Sequence, residues 1–382
     1  MKRDEPHAVP PECRRRNRTP PSTARDAPPT PDHRLETREN RLSQTTIRDV
    51  AAAAGVSAST VSNFFHHPGK LTGATRERVR QAVEALGFVP NHAARTLRTG
   101  TNPVIGYIAA DLVSAGASET THAIERRIAH EGMHLLMANG STEEGERSYL
   151  RLFAQQRVAG IIIAPVGDVE PELSRIRAHG IPSVVITRPA TSTTQASVST
   201  DHALAGRIAV EHLVGQGRRR LGFVSDDLGA WHVQDQLRGA VGALGAAPGI
   251  ALEVIRAADG SLNAGIACAE AIAQRPQEER PDALYCTNGS LAVGTTRVFA
   301  AGPGTQDSLD VAVIGYDAGA WAPLAGAPVT AVRAPHQETG LTAVNLLFDR
   351  IAKPHQAARA AGALTCPHVR LAPELVLPAS MA

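Results

Sequence analysis

Apolar side chains recur at helical spacing in three short runs between residues 46 and 90. Ile47, Val50, Ala51 and Ala54 place one apolar stripe on a short helix. Gly55 follows, and a residue without Cβ tolerates the left-handed backbone that ends a helix. Ser57 then stands where a second N-cap belongs, and Val61, Phe64 and Phe65 supply the apolar face behind it. Two short helices separated by Gly-Val-Ser read as a helix-turn-helix: Ala51 permits close approach, Gly55 makes the bend and Val61 packs in the crook. A third helix is expected over 73–86, capped by Thr72 and stopped by Gly87, with Val79, Val83 and Leu86 inward and Ala82 beside them. Phe88 closes this small core. Pro90 and Asn91 open the segment AARTLR, which has room for one or two further helical turns.

From residue 104 the pattern changes to short apolar runs between amphipathic stretches. Strands are expected at 104–110, 134–138, 160–164 and 182–187, with helices at 119–131, 143–156 and 173–179. A second set has helices at 203–216, 234–244, 264–273 and 291–300, and strands at 221–225, 252–256, 283–286 and 311–314. Short apolar strands alternating with helices predict parallel sheets covered on both faces. Two such sets in series predict two Rossmann-like subdomains with a cleft between them, and ligands bind such sheets outside the carboxyl ends of the strands. The fold class is thus an all-α helix-turn-helix headpiece followed by an α/β body.

Composition refines this in three places. The 382 residues suffice for two or three domains, and with only 3% aromatics the core must be filled by Ala, Val, Leu and Ile. Net charge is +2, but residues 1–45 carry ten Lys/Arg against seven Asp/Glu, residues 46–102 seven against three, and the remainder 22 against 27. A basic front end on an acidic body suits a chain that offers one end to phosphate. Residues 1–45 are rich in Pro and Arg and read as a disordered tail. Cys13, Cys268, Cys286 and Cys366 form no CxxC pair and no metal spacing, so free thiols in a reducing compartment are expected. No apolar run is long enough to cross a bilayer and the N-terminus lacks a hydrophobic signal core, so the expected location is cytoplasmic, with no membrane partner.

The front end resembles the DNA-binding headpiece of the lactose-repressor (LacI/GalR) family. The match is carried by Thr46-Ile-Arg-Asp-Val-Ala, Ala54-Gly-Val-Ser, Thr60-Val-Ser, Thr75-Arg-Glu-Arg-Val, Leu86-Gly-Phe-Val-Pro-Asn and Ala94-Arg-Thr-Leu-Arg-Thr-Gly, in unbroken order. The body is similar to the family's periplasmic-binding-protein-like effector domain through Val158-Ala-Gly-Ile-Ile-Ile-Ala-Pro, Gly217-Arg-Arg-Arg-Leu-Gly-Phe-Val and Val313-Ile-Gly-Tyr-Asp, among others. The resemblance implies a tail at 1–45, a headpiece at 46–90, a hinge helix or linker at 91–102 and an effector and dimerisation domain at 103–382. It implies a transcription regulator, a repressor, that binds a pseudo-palindromic operator as a homodimer. With no apolar heptads after the final strand, a dimer is expected over a coiled-coil tetramer. By the same resemblance Ala58, Ser59 and Asn63 fall at base-reading positions, where Ala can meet a thymine methyl and Asn can hold adenine. Asn63 stands where many relatives carry Arg. Thr46, Ser57, Thr60, Ser62, Arg76 and Asn91 are read as phosphate contacts or register-setting residues. Leu97 matches the family's minor-groove wedge.

In the cleft the match thins. Sugar-binding members use aromatics, acids and an Arg. Here Gln236 stands at the Arg position, Gly289 follows Asn288 in place of an Asp, and Ala318 follows Asp317. The remaining effector candidates are Asp111, Arg188, Trp231, Gln236, Asp259, Asn288 and Asp317, each of which equally suits a loop residue with a local hydrogen bond. The effector class stays open, a sugar or another metabolite. Two other functions fit the lobes. A transporter's solute-binding protein is disfavoured by the headpiece and the absent signal core. An enzyme is disfavoured because no GxGxxG opening a helix, no GKS/T loop and no HExxH is present. No cofactor or metal is expected.

Overall fold

A computed structural model describes residues 45–89, 102–112, 114–245, 248–300, 310–318, 325–326, 328–352 and 365–378. The chain divides into two compact units, residues 1–92 and 93–382.

The first unit is three helices around one small core. Helix α1 spans Ile47–Ala54, α2 Ala58–His66 and α3 Gly73–Ala85, with a 3-10 turn at Pro68–Lys70. Each helix is started by a hydroxyl. Thr46 and Asp49 form a capping box, with both the Thr46 N–H and its hydroxyl 2.8 Å from the Asp49 carboxylate. Ser57 accepts from the Thr60 N–H at 3.1 Å, and Thr72 caps α3. Gly55 closes α1 at φ +62°, the left-handed conformation the bend requires. Val50, Val61 and Val79 are wholly buried at the centre, with Phe64, Phe65 and Phe88 packed around them. Leu86 departs from expectation. Helix α3 ends at Ala85, so Leu86 becomes the C-cap and turns outward, 38% exposed, while its carbonyl accepts from the Thr45 hydroxyl at 3.1 Å.

The second unit holds two six-stranded sheets. The first lobe contains β1 Val104–Ala109, α4 Ala115–His130, β2 His134–Asn139, α5 Glu143–Gln155, β3 Gly160–Ile163, α6 Glu170–Ala178, β4 Ser183–Thr187 and β5 Ala196–Thr200. The second lobe contains α7 His202–Gly215, β6 Arg220–Ser225, α8 Trp231–Leu244, β7 Ala251–Arg256, α9 Leu262–Ala273, β8 Ala283–Cys286, α10 Gly289–Ala300, β9 Ala312–Tyr316 and β10 Thr330–Arg333. The chain then returns to the first lobe as α11 His336–Ala352 and β11 His368–Leu371, and ends in the second as β12 Glu374–Val376. The first sheet runs β11-β5-β4-β3-β1-β2 with all pairs parallel; the second runs β12-β10-β9-β8-β6-β7, its β12 edge antiparallel to β10.

The expectation of two sets in series is therefore corrected. The backbone crosses between the lobes three times, at 200–202, 333–336 and 371–374. The elements that do this, β5, β10, α11, β11 and β12, were not expected from the apolar pattern. Strand β5 reads Ala-Ser-Val-Ser-Thr, an apolar-poor run whose Ser197 and Ser199 are nonetheless buried.

Helices α7 and α8 approach to backbone contact. A Cβ on Gly206 would stand 1.9 Å from the Gln236 carbonyl oxygen, and one on Gly239 would stand 1.8 Å from the Ala203 carbonyl oxygen. Gly239→Ala should force these backbones apart and destabilise the body by about 1–3 kcal/mol. Chemical denaturation of the full chain measures this; an unchanged midpoint would show that the crossing relaxes freely.

Candidate nucleic-acid interface and inter-lobe cleft

In the headpiece, the hydroxyls at the start of α2 hold one another. Ser57 Oγ lies 2.7 Å from Ser59 Oγ and 2.8 Å from Thr60 Oγ1. This knot ties together the hydroxyls of Ser57, Ser59 and Thr60, three of the side chains expected from the sequence to contact DNA. Ser59 is exposed, whereas Ala58, Thr60, Ser62 and Asn63 are half-buried, and Ala58 also packs against the core. Ser59, Ser62 and Asn63 share one face of α2 at helical spacing. Arg76 has a structural task as well: its guanidinium donates to the Pro68 carbonyl at 2.8 Å, pinning the 3-10 turn. Thr46 is exposed, with its hydroxyl bound to Asp49, whose carboxyl the Thr46 backbone and side-chain bonds hold below the usual carboxylate range. Asn91 and Leu97 lie outside the described residues. Arg48, Lys70 and Arg78 are exposed cations of the same unit that were not among the expected contacts.

In the body, the candidate residues divide between the lobes. On the first, Asp111 follows β1 and is exposed. Arg188 follows β4 and donates to the Gly167 carbonyl. The same loop is clamped from below by Glu146, wholly buried, which accepts the Val166 and Gly167 N–H groups at 2.5 and 3.1 Å. Burial pushes the Glu146 carboxyl up while these two bonds oppose it. Arg188 and Glu146 together shape the rim that the first lobe presents at the end of β3.

On the second lobe, Asn288 accepts from the Leu291 N–H at 2.9 Å and points its amide towards Asp226, 3.5 Å away. A Cβ on Gly260 would stand 2.9 Å from Asp226, so the ends of β6, β7 and β8 converge there. Asp259 is exposed and accepts from the Ser261 N–H at 2.9 Å; Ser261 holds its carboxyl low. Gln236 is wholly buried and accepts the Tyr285 hydroxyl at 2.9 Å. Trp231 meets His202 edge-on at 5.1 Å, and His202 also lies 5.7 Å from His232 and 5.5 Å from Tyr316. His202, His232 and Tyr316 were missed. His202 sits at the first crossing, and without β5 nothing in the sequence marks that position. Burial, with His232 nearby, pulls His202 down to about 4, and burial lowers His232 too, so both imidazoles are neutral at pH 7.

Asp317 lies at the second crossing, with φ +54°. Its carboxylate accepts the Ala334 N–H at 2.8 Å and meets His336 Nε2 at 2.7 Å. The His336 ring lies against the backbone of Gly116 at the start of α4, where a Cβ would stand 2.3 Å away, and Thr120 donates to the His336 carbonyl at 3.3 Å. Among the described residues no group of three or more His, Cys, Asp or Glu could hold a metal ion, and no helix is long and apolar enough to cross a membrane. Cys268, Cys286 and Cys366 are free thiols.

Burial pulls His336 down, but the Asp317 hydrogen bond and charge outweigh it and raise the imidazole above its ordinary 6.5. The pair's stabilisation is fully present below that ordinary value and is lost as pH rises through the raised one. Asp317→Asn should therefore cost the body about 1–3 kcal/mol near pH 5.5 and distinctly less near pH 9. Denaturation at the two pH values reads this; an equal loss at both would remove the charged contribution.

A sequence profile described as "Bacterial regulatory proteins, lacI family" matches residues 46–91, and one described as "Periplasmic binding protein-like domain" matches residues 210–371. The chain is 30% identical over 317 residues to the HTH-type transcriptional regulator PtxS of Pseudomonas putida, covering 82% of this chain and 91% of that protein. It is 28% identical over 312 residues to the HTH-type transcriptional repressor PurR of Photobacterium profundum, covering 80% and 92%. The crystal structure of the Lac repressor dimer bound to operator and the anti-inducer ONPF superposes with a TM-score of 0.68 at 24% identity, over 87% of this chain and 98% of that one. The helix-turn-helix unit, the two lobes joined by three crossings and these similarities lead to one assignment: the chain belongs to the LacI family of bacterial regulatory proteins, a DNA-binding transcription regulator with an effector domain and not an enzyme.

Proposed function

We propose that this regulator acts as a repressor, binding a pseudo-palindromic operator as a homodimer and responding to a small molecule held between its lobes. The observation that carries the reading is the preset start of α2, where the knotted Ser57, Ser59 and Thr60 hydroxyls adjoin the helix face that carries exposed Ser59 and half-buried Ser62 and Asn63. Such a helix enters the major groove with its N-terminal residues towards the bases. Asn63 offers adenine a bidentate partner, and Ala58 and Ser59 complete the reading face. Residues 91–102 form the hinge between a headpiece at 46–90 and a body at 103–382, and Leu97 is the wedge at the operator centre. Asp111, Arg188, Trp231, Gln236, Asp259, Asn288 and Asp317 border the effector cleft.

Apolar side chains that the described residues leave exposed near two sheet edges support the dimer. Strand β2 lies at one end of the first sheet and β7 at one end of the second, opposite β11 and β12. Leu136 and Met137 on β2, Leu152 on α5, Val241 on α8 and Val254 on β7 are 38–53% exposed. The Lac repressor whose fold this chain shares was crystallised as a dimer on its operator.

The test is selection of genomic fragments by the purified full chain. Recovery of an inverted repeat with salt-sensitive affinity is expected. Asn63→Ala should relax preference at one symmetric base-pair position by about 1–3 kcal/mol. Leu97→Ala should weaken operator binding far more than binding to random duplex. Failure to prefer any inverted repeat over random competitor would overturn the reading, and equal losses for Leu97→Ala would remove the wedge.

A further inference from the structure

The pairing of Val224 with Cys286 and of Cys286 with Gly315 sets Ser225, Thr287 and Tyr316 side by side one residue further on. They continue the sheet face that carries Phe223, Tyr285 and Ile314 below them, the face covered by α7 and α8. His202 and His232 stand one helical turn before Gly206 and Gln236, so they roof the same layer. Four side chains here have a buried polar atom without a hydrogen-bond partner among the described residues: His202 Nδ1, Ser225 Oγ, Gln236 Nε2 and Thr287 Oγ1. None of the four is more than 7% exposed. Buried polar atoms are paired in nearly all native interiors, and four such atoms in one layer at the carboxyl ends of β6 and β8 mark a place built for a guest.

The guest's chemistry follows from what these atoms can do. Gln236 Nε2 only donates, because its partner oxygen already accepts from Tyr285, so the innermost group of the guest must be an acceptor. The two hydroxyls serve as donor or acceptor, and both imidazoles are neutral. The charges that reach the imidazoles are the carboxylates of Asp201, Asp226, Asp227, Asp235 and Asp317, and Arg370, which already lies 4.0 Å from Asp201. A phosphate or carboxylate would meet that field with no cation besides Arg370 among the described groups whose charge reaches the imidazoles.

We propose that this layer binds an uncharged ligand whose hydroxyl, carbonyl or ring-nitrogen acceptor faces Gln236, and that it rejects phosphorylated and carboxylated forms of the same compound. The proposal rests on the effector reading above and names its ligand class. It also requires a trade between binding and folding. Ser225→Ala and Thr287→Val remove hydroxyls that the ligand-free fold leaves unpaired, so neither change should weaken the ligand-free protein.

The experiment uses the full-length chain, these two variants and their combination. Melting temperatures are read alone and with neutral hexoses, pentoses, nucleobases and nucleosides, and with the matching sugar phosphates, sugar acids and nucleotides. We expect the ligand-free variants to melt at or above the parent. We expect at least one uncharged compound to stabilise the parent, and the double variant to bind it at least about tenfold more weakly, a loss of about 1.4 kcal/mol. A panel with no uncharged binder, anionic forms that bind as well as neutral ones, or variants that both melt several degrees lower without ligand would each overturn the proposal. Operator binding by the ligand-free parent is scored separately, so failure of the DNA reading and failure of the ligand class give different results.

Discussion

One carboxylate closes the junction at which the chain leaves the second sheet and returns to the first lobe. Where β10 passes into α11, the backbone belongs to neither sheet, and its N–H groups need partners that no strand provides. Asp317 supplies one, to Ala334, and grips the His336 imidazole with its other oxygen. It does so from a left-handed conformation that Asp tolerates better than most residues. His336 in turn rests on the start of α4, so a residue of the second lobe holds the first through a single imidazole. The nearby Arg333–Glu119 pair, 2.9 Å apart but largely exposed, adds little by comparison. Among the described residues three crossings join two separately packed lobes, so a change in their relative position need not disturb either core. A ligand that touches both sides has that relative position to act on.

The two units treat polar groups in opposite ways. In the headpiece every helix start is satisfied locally, by Thr46, Ser57 and Thr72, each within three residues of its partner. A unit of this size has little apolar area to bury, and caps of this kind, each contributing about 1 kcal/mol, help it hold one shape. In the second lobe the residues above Phe223 and Tyr285 leave polar atoms without partners among the described residues, an arrangement a fold retains where function requires it. One unit is built to present a fixed surface, the other to receive something.

What the sequence made legible follows the range of the interactions. The headpiece could be read closely because its signals are local: a cap, a glycine and an apolar stripe within a few residues of one another. Among the described residues Leu86 was misplaced, since helix α3 stops one residue earlier and its last apolar side chain turns to solvent. The alternating strands of the body were legible for the same reason. Strands β5, β10, β11 and β12 were not, because their burial depends on neighbours distant in the chain, Ser197 beside His368 among them. In the cleft, Gln236 could be recognised as standing in place of a cation, but its bond to Tyr285 and its free amide could not. His202 was invisible until its crossing was seen. Arg188, a natural anion-binding choice by residue type, is engaged by the Gly167 carbonyl of its own lobe.

The central claim is that occupancy of the body and grip on DNA are linked through one set of lobe positions. Linkage of this kind is reciprocal. The most direct measurement takes the uncharged compound that most stabilises the body and determines its affinity for the full chain free and bound to the selected operator. The account predicts affinities that differ by at least about fivefold, matched by the same ratio in operator affinity with and without the compound. Equal affinities in both states would show that the lobes and the headpieces act independently, and would contradict the account.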